Sequence, residues 1–82
     1  MKNARNQKEI GQLIKLHRQK NNLTQAELAK ACKVSQVFIS KLESGLGGTI
    51  TGLVKVMNAL NLEVSFKEIK TIDINNIQKY LE

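Results

Sequence analysis

Residues 23–45 restrict the fold of this chain more than any other stretch, because they read as two short helices joined by a tight turn. Thr24 and Glu27 have the three-residue spacing of a capping box, which predicts a helix that begins after Thr24. Ser35 is placed to cap a second helix, and Gly45 is placed to end it. Both helices have apolar residues at helical spacing, so we expect them to share one core. These residues are Leu28, Ala29 and Cys32, followed by Phe38, Ile39 and Leu42.

Helical periodicity continues on both sides of this stretch. Ile10, Leu13 and Ile14 predict a first helix from Lys8 to about Lys20. After the glycine-rich residues 45–48, Thr49 is a cap for a helix that ends at Leu60. Its predicted apolar face is formed by Ile50, Leu53, Val54, Met57 and Leu60, with Val56 alongside. We therefore predict a mainly α fold, with a four-helix domain over residues 1–61.

The motif residues carry a family resemblance. Thirteen of them are Thr24, Gln25, Glu27, Leu28, Ala29, Val34, Ser35, Gln36, Ile39, Ser40, Leu42, Glu43 and Gly45. Together they resemble the helix-turn-helix of the lambda-repressor-like, Cro-type regulators, the XRE family, which implies a DNA-binding domain. The family usually has glycine in the turn, where this sequence has Lys33. If the backbone there has positive φ, a lysine costs on the order of 1 kcal/mol, and we expect the turn to be slightly rebuilt.

The resemblance also implies an ion pair. In similar proteins the arginine at the position of Arg18 pairs with the glutamate that closes the second motif helix, here Glu43. A guanidinium group matches a carboxylate at two points, so a partly buried pair would set the angle between the first helix and the recognition helix. The alternative is a solvated arginine and an unrelated glutamate, since exposed pairs contribute little.

In this family the second motif helix, here about Gln36 to Ser44, enters the DNA major groove with its first turn facing the bases. The amide of Gln36 can donate and accept at once, which suits adenine, and Val37 can meet a thymine methyl group. The predicted base contacts are Ser35, Gln36, Val37, Ser40 and Lys41. The predicted phosphate contacts are Thr24, Gln25, Lys33 and Ser44. Taken singly, such polar residues at helix ends often act only as caps or are simply solvated.

The charge distribution favours the same partner. The net charge is +6, and residues 1–60 hold ten Lys or Arg against three Glu, whereas residues 61–82 hold three Lys against four acidic residues. A basic body suggests a polyanion such as double-stranded DNA, although a charge excess can also serve only solubility.

After Asn61 the apolar period changes from helical spacing to two. Leu62, Val64 and Phe66 alternate with polar residues, which predicts a strand over residues 62–67. A lone strand has unpaired backbone groups, so we expect it to pair with its own copy across a dimer axis. The alternative is a short extended linker. The strand narrows the resemblance toward the HipB-type antitoxins, in which such strands join two protomers.

The two ends of the chain give weaker signals. Residues 1–7 are polar and aperiodic, which is typical of a loose arm that either contacts phosphate or only frays. Residues 68–82 form a tail in which Ile74, Ile77 and Leu81 lie on one helical face after Asp73. This tail either docks into a partner or packs on its own dimer.

Several function classes are disfavoured. The sequence has one cysteine, Cys32, which we expect to be a core residue, and His17 has no neighbouring ligand residues, so we expect no metal and no cofactor. We see no nucleophile with a base and no carboxylate pair, and we expect no enzyme activity. No apolar run has the length of a membrane span and residues 1–8 do not resemble a signal peptide, so we expect a soluble, cytoplasmic, nucleoid-associated protein.

The resemblance implies a homodimeric repressor of a palindromic operator. It further implies the role of antitoxin to a HipA-like kinase toxin, with autoregulation of the shared operon. Two alternatives stay open. One is a plain XRE-type repressor of a phage or mobile element, which has no toxin partner. The other is a protein-interaction adaptor that has kept the helical fold and lost DNA binding.

Overall fold

A computed structural model describes residues 4–68 of the chain, and these residues contain four helices. The helices are α1 (Gln7–Lys20), α2 (Gln25–Cys32), α3 (Gln36–Glu43) and α4 (Ile50–Ala59). The predicted mainly α, four-helix domain is confirmed. The predictions for residues 1–3 of the arm and residues 69–82 of the tail lie outside the described residues.

Each of these helices begins with a polar side chain that accepts a hydrogen bond from a backbone N–H three residues ahead. The predicted caps Thr24, Ser35 and Thr49 are all present. Thr24 and Glu27 form the complete capping box, because the Glu27 carboxylate also accepts from the Thr24 N–H at 2.9 Å. Asn6 caps α1, so this helix begins at Gln7, one residue earlier than predicted.

A left-handed residue follows each of the four helices of the described region. These residues are Asn22, Lys33, Gly45 and Asn61, with φ between 58° and 73°. The next residue then donates its N–H to a carbonyl five positions back, as Val34 does to Ala29 at 3.0 Å and Leu46 to Lys41 at 2.9 Å. Lys33 therefore has the positive φ that favours glycine, so the expected cost of a lysine applies here, while the expectation of a slightly rebuilt turn stays a prediction. The hydrogen bonds after the turn offset a strain on the order of 1 kcal/mol.

The core lies where α2 packs against both α3 and α4, while α1 packs against α3. Its buried members are Ile14, Leu28, Ala29, Cys32, Ile39, Leu42, Val56 and Leu60. Cys32 is a core residue, as the sequence suggested, and burial raises the pKa of its thiol. His17 is half-buried at the edge of this core.

The buried face of α4 agrees with the predicted one at Leu53, Met57 and Leu60, which pack in or against the core, but not at Ile50 and Val54. Gly52, Val56 and Leu60, which are spaced four residues apart, are buried, whereas Ile50 is 82% exposed and Val54 is 44% exposed. The glycine explains the error. The ring of Phe38 occupies the space beside Gly52, where a Cβ atom would collide with it. A residue without a side chain gives no hydrophobic signal, so the pattern left Gly52 out of the buried face and included Ile50 and Val54 in it.

Helices α1 and α3 approach each other closely at Gly11. A Cβ atom at this position would overlap the carbonyl oxygen of Leu42 and lie 2.6 Å from that of Glu43. Gly11 is buried, and the sequence analysis did not single it out. The absence of a side chain therefore sets how closely α1 lies against the end of the motif.

We expect Gly11→Ala to lower the free energy of unfolding by about 1–3 kcal/mol, the usual effect of overpacking. A loss of stability would be informative, because helix propensity alone favours alanine over glycine by about 1 kcal/mol and would raise the free energy of unfolding. Urea unfolding followed by circular dichroism measures the change, with Gln12→Ala on the exposed side of α1 as the matched control. A Gly11→Ala protein as stable as the control would show that this contact does not set the helix spacing.

Residues 62–68 belong to no helix and no strand in this single chain. Leu62 packs against the core, while Val64 is 55% exposed and Phe66 is 96% exposed. A strand is defined by pairing, so the predicted strand over residues 62–67 depends on a second chain and stays a prediction. None of the helices within residues 4–68 has the length and apolar character needed to cross a membrane.

Candidate nucleic-acid interface

Helix α3 has two distinct faces. Ile39, Leu42 and Glu43 are buried, and Phe38 packs against the core. The predicted base-contacting residues of this helix, Gln36, Val37, Ser40 and Lys41, are all exposed. Val37 is 63% exposed although it is apolar, so it does not serve the core. An α-helix with its side chains is about 10–12 Å across, which fits the roughly 12 Å width of a DNA major groove.

The first turn of α3 is fixed by Ser35. Its hydroxyl oxygen accepts from the N–H of Phe38 at 3.0 Å, which leaves the hydroxyl hydrogen available as a donor. From the sequence, Ser35 was expected either to cap the helix or to contact DNA. The two roles are compatible, because capping uses the hydroxyl oxygen and a DNA contact can use the hydroxyl hydrogen. Thr24 caps α2 in the same way, since its hydroxyl oxygen accepts from the N–H of Glu27 at 3.0 Å, but its side chain also hydrogen-bonds to the Glu27 carboxylate.

The capping box of α2 makes its start sensitive to acid. The hydrogen bonds from the backbone and side chain of Thr24 lower the pKa of Glu27. A carboxylate with a lowered pKa contributes stability above its ordinary pKa and loses it as the pH falls through the lowered value. The start of α2, which carries the predicted phosphate contacts Thr24 and Gln25, therefore stays fully capped at neutral pH.

Arg18 and Glu43 form a buried ion pair that joins α1 to the end of α3. Arg18 Nε donates to Glu43 Oε2 at 2.6 Å, and Nη2 donates to Oε1 at 3.1 Å. The third nitrogen, Nη1, donates to the carbonyl of Leu23 at 2.7 Å. The hydrogen bonds to the carboxylate raise the pKa of Arg18, so the guanidinium stays charged despite its burial. The pair therefore connects α1 directly to the carboxyl end of α3.

Glu43 also holds a residue of the predicted phosphate set. Gln25 Nε2 donates to Glu43 Oε1 at 3.1 Å, so one carboxylate connects α1, α2 and the carboxyl end of α3. Gln25 is half-buried, unlike the other predicted contacts. The sequence analysis missed this bond because the two residues are 18 positions apart on different helices, and no local pattern links them.

The remaining predicted phosphate contacts lie near the two ends of α3. Lys33 is in the left-handed turn before this helix and Ser44 caps its carboxyl end, and both are exposed. Lys41 is the cation on the exposed side of α3 itself, whereas Lys33 borders a pocket with Lys55 and Asn58 of α4. Within residues 4–68, no three His, Cys, Asp or Glu side chains are grouped so that they could hold a metal ion.

Comparison with known proteins gives a family for this arrangement. The family model described as Helix-turn-helix (HTH_3) matches residues 14–67. None of the curated proteins compared with the chain matches it. Two solved structures are similar to it, each with 30% sequence identity and a TM-score of 0.76 over 85% of this chain and 100% of the other. They are described as "Structure of HipA-HipB-O2-O3 complex" and "HipB-O4 20mer complex".

The family model covers α2, α3, α4 and the second half of α1, and the alignment with the similar structures covers 85% of this chain. The expected resemblance to XRE-type regulators and to HipB is confirmed. The chain thus belongs to the XRE-type helix-turn-helix family of DNA-binding transcriptional regulators.

Proposed function

We propose that this protein is a HipB-like repressor that binds a palindromic operator as a homodimer. In this proposal it acts as the antitoxin of a HipA-like kinase toxin and regulates its own operon, and it has no enzyme activity of its own. The main support for the proposal is the exposed face of α3. Gln36, Val37, Ser40 and Lys41 are all accessible there, and Ser35 caps the first turn of the helix.

Base recognition begins at Gln36, the first residue of α3. Its amide offers a donor and an acceptor together, which matches the major-groove edge of adenine. Val37 offers methyl groups to a neighbouring thymine, and Ser40 and Lys41 lie one turn further on. Thr24, Gln25, Lys33 and Ser44 then hold the flanking phosphates and fix the register of α3 on the duplex.

In the proposed homodimer, a second copy of the chain buries the apolar residues that are exposed after α4. Val64 and Phe66 are exposed beside Leu62, which packs on the core, and their alternation suits an antiparallel two-stranded ribbon. Ile50 and Val54, one turn apart on α4, form a further exposed apolar strip. A twofold dimer would present two copies of α3 to inverted half-sites about one helical turn apart.

The proposal of a toxin partner is based on similarity to known structures. The chain resembles HipB at 30% identity over the full length of the compared chain, and one of those structures is a complex of HipB with HipA. A plain repressor would share every feature of α3, so the partner must be tested directly. Co-expression with the product of an adjoining kinase-like reading frame, followed by affinity purification of either protein, is expected to recover both in a fixed ratio. Failure of two well-folded proteins to copurify would leave the plain repressor.

Two substitutions on α3 test the recognition of bases and phosphates separately. Gln36→Ala is expected to cost about 1–3 kcal/mol at the selected operator and to relax one base position, because it removes a base contact. Lys41 is placed to reach either a second base step or a phosphate, and if it contacts a phosphate, Lys41→Ala is expected to weaken binding to all sequences alike and to reduce the salt slope by about one. Fluorescence anisotropy with the operator and a scrambled duplex over a salt series measures both effects.

The control is Lys15→Ala, which removes an exposed cation from α1 and is expected to change neither selectivity nor the salt slope to the same extent. Equal losses on operator and scrambled duplex for both α3 variants would refute the division between base and phosphate contacts. Absence of binding to any duplex at low salt would refute the DNA-binding proposal as a whole.

A further inference from the structure

The bond between Gln25 and Glu43 determines which way the Gln25 amide faces. Glu43 is buried and both of its carboxylate oxygens accept from the Arg18 guanidinium, so it serves as an acceptor of hydrogen bonds. The Gln25 nitrogen must therefore face Glu43, and its carbonyl oxygen must face away. The usual ambiguity between amide oxygen and nitrogen does not arise here, because the partner has no hydrogen to donate.

One amide hydrogen is left over. Nε2 carries two hydrogens, and the bond to Glu43 uses one of them. A phosphate has acceptors only, so Gln25 can reach it through the second hydrogen of the same nitrogen and not through its oxygen. Gln25 is also the first residue of α2, where unpaired backbone N–H groups favour an anion.

From this geometry we infer that Glu43 is a positioning residue for DNA binding, which fixes the Gln25 amide so that its second N–H donates to a phosphate. The inference rests on the proposed function. In it the ion pair has two roles, since Arg18 holds the carboxylate in place and the carboxylate orients the amide. The Gln25 side chain then reaches the DNA without a search among rotamers, which lowers the entropy cost of binding.

A double-mutant cycle tests the coupling on a random-sequence 20-base-pair duplex at low salt. In the otherwise native protein, Gln25→Met is expected to weaken binding about tenfold, the usual effect of one lost hydrogen bond to a charged group. The salt slope should stay unchanged, because a neutral amide releases no counterion. In the Arg18→Met/Glu43→Met background, which keeps an apolar core but has no acceptor, the same change should cost less than about twofold.

The matched control differs only in the acceptor. Arg18→Met/Glu43→Gln retains a side-chain carbonyl for Gln25 without the charge, and in this background Gln25→Met should again cost most of the tenfold factor. A purely structural role for Glu43 would not produce this recovery. An equal cost of Gln25→Met in all three backgrounds would overturn the inference, while absence of duplex binding by the native protein would overturn the proposed function instead.

A second measurement needs no change to the core. The side-chain amide protons of Gln25 can be assigned in the native protein as the pair of NMR signals that disappears in Gln25→Met. Addition of the random duplex is expected to shift the hydrogen that faces the phosphate much more than the one bonded to Glu43. If the duplex binds and neither signal moves, the inference fails even when the core variants do not fold.

Discussion

Val64→Lys combined with Phe66→Lys is expected to leave the protein monomeric and to weaken operator binding on the order of a thousandfold, to the level of non-specific binding. Both side chains are exposed in the single chain, so lysine is accommodated there without loss of the helical core. In a paired ribbon, however, the two lysines would face apolar partners and their own symmetry mates, where like charges repel. Sedimentation velocity measures the oligomeric state, and anisotropy with the operator measures the affinity.

The control places two lysines on the alternate positions, as Glu63→Lys with Ser65→Lys. These residues are also exposed, but they lie on the other face of the predicted strand, so the dimer should survive. A stable dimer of the Val64→Lys/Phe66→Lys variant with full operator affinity would contradict the proposed pairing through residues 62–67.

Arg18→Met is expected to lower the free energy of unfolding by about 3–5 kcal/mol, because it leaves the Glu43 carboxylate buried without its cation. A domain of this size has about 5–10 kcal/mol in total, so the loss should lower the Tm by more than about 10 °C. The change also removes the donor that satisfies the Leu23 carbonyl. Thermal unfolding followed by circular dichroism measures the effect.

The informative comparison is Arg18→Met/Glu43→Met, which removes both charges. Replacement of a whole buried pair by apolar residues is often neutral, so this variant should recover most of the lost stability. If Arg18→Met melts close to the native protein, the pair does not determine the geometry between α1 and α3, despite its bidentate contact.

Local signals in the sequence were sufficient to predict the four helices of the described region. Side-chain caps such as Thr24 and Ser35 act within three residues, so their spacing in the sequence reports their geometry directly. The same holds for the left-handed stop at Gly45. The exposed side of α3 also followed from periodicity, because its buried positions are occupied by large apolar residues or by Glu43.

Features that depend on glycine, and tertiary contacts outside the family pattern, could not be predicted, whereas the Arg18–Glu43 pair was expected from the resemblance alone. Gly11 and Gly52 matter for the side chains that they lack, and the partners that fill the space are on α3, far along the chain. The bond from Gln25 to Glu43 is likewise a tertiary contact. The pairing proposed for residues 62–67 would need a second molecule, so the structure of a single chain does not test it.

The exposure of Phe66 has a consequence for how the concentration of the protein would control its binding to the operator. If an apolar ribbon forms only between two chains, its free energy is gained only when chains meet, so assembly depends on abundance. Below the dimer dissociation constant, the concentration of paired chains rises with the square of the total. A twofold change in synthesis would then change the concentration of dimers up to fourfold. Because the dimer is the species proposed to bind the operator, a gene that regulates itself in this way would have a sharper threshold than a monomeric repressor could provide.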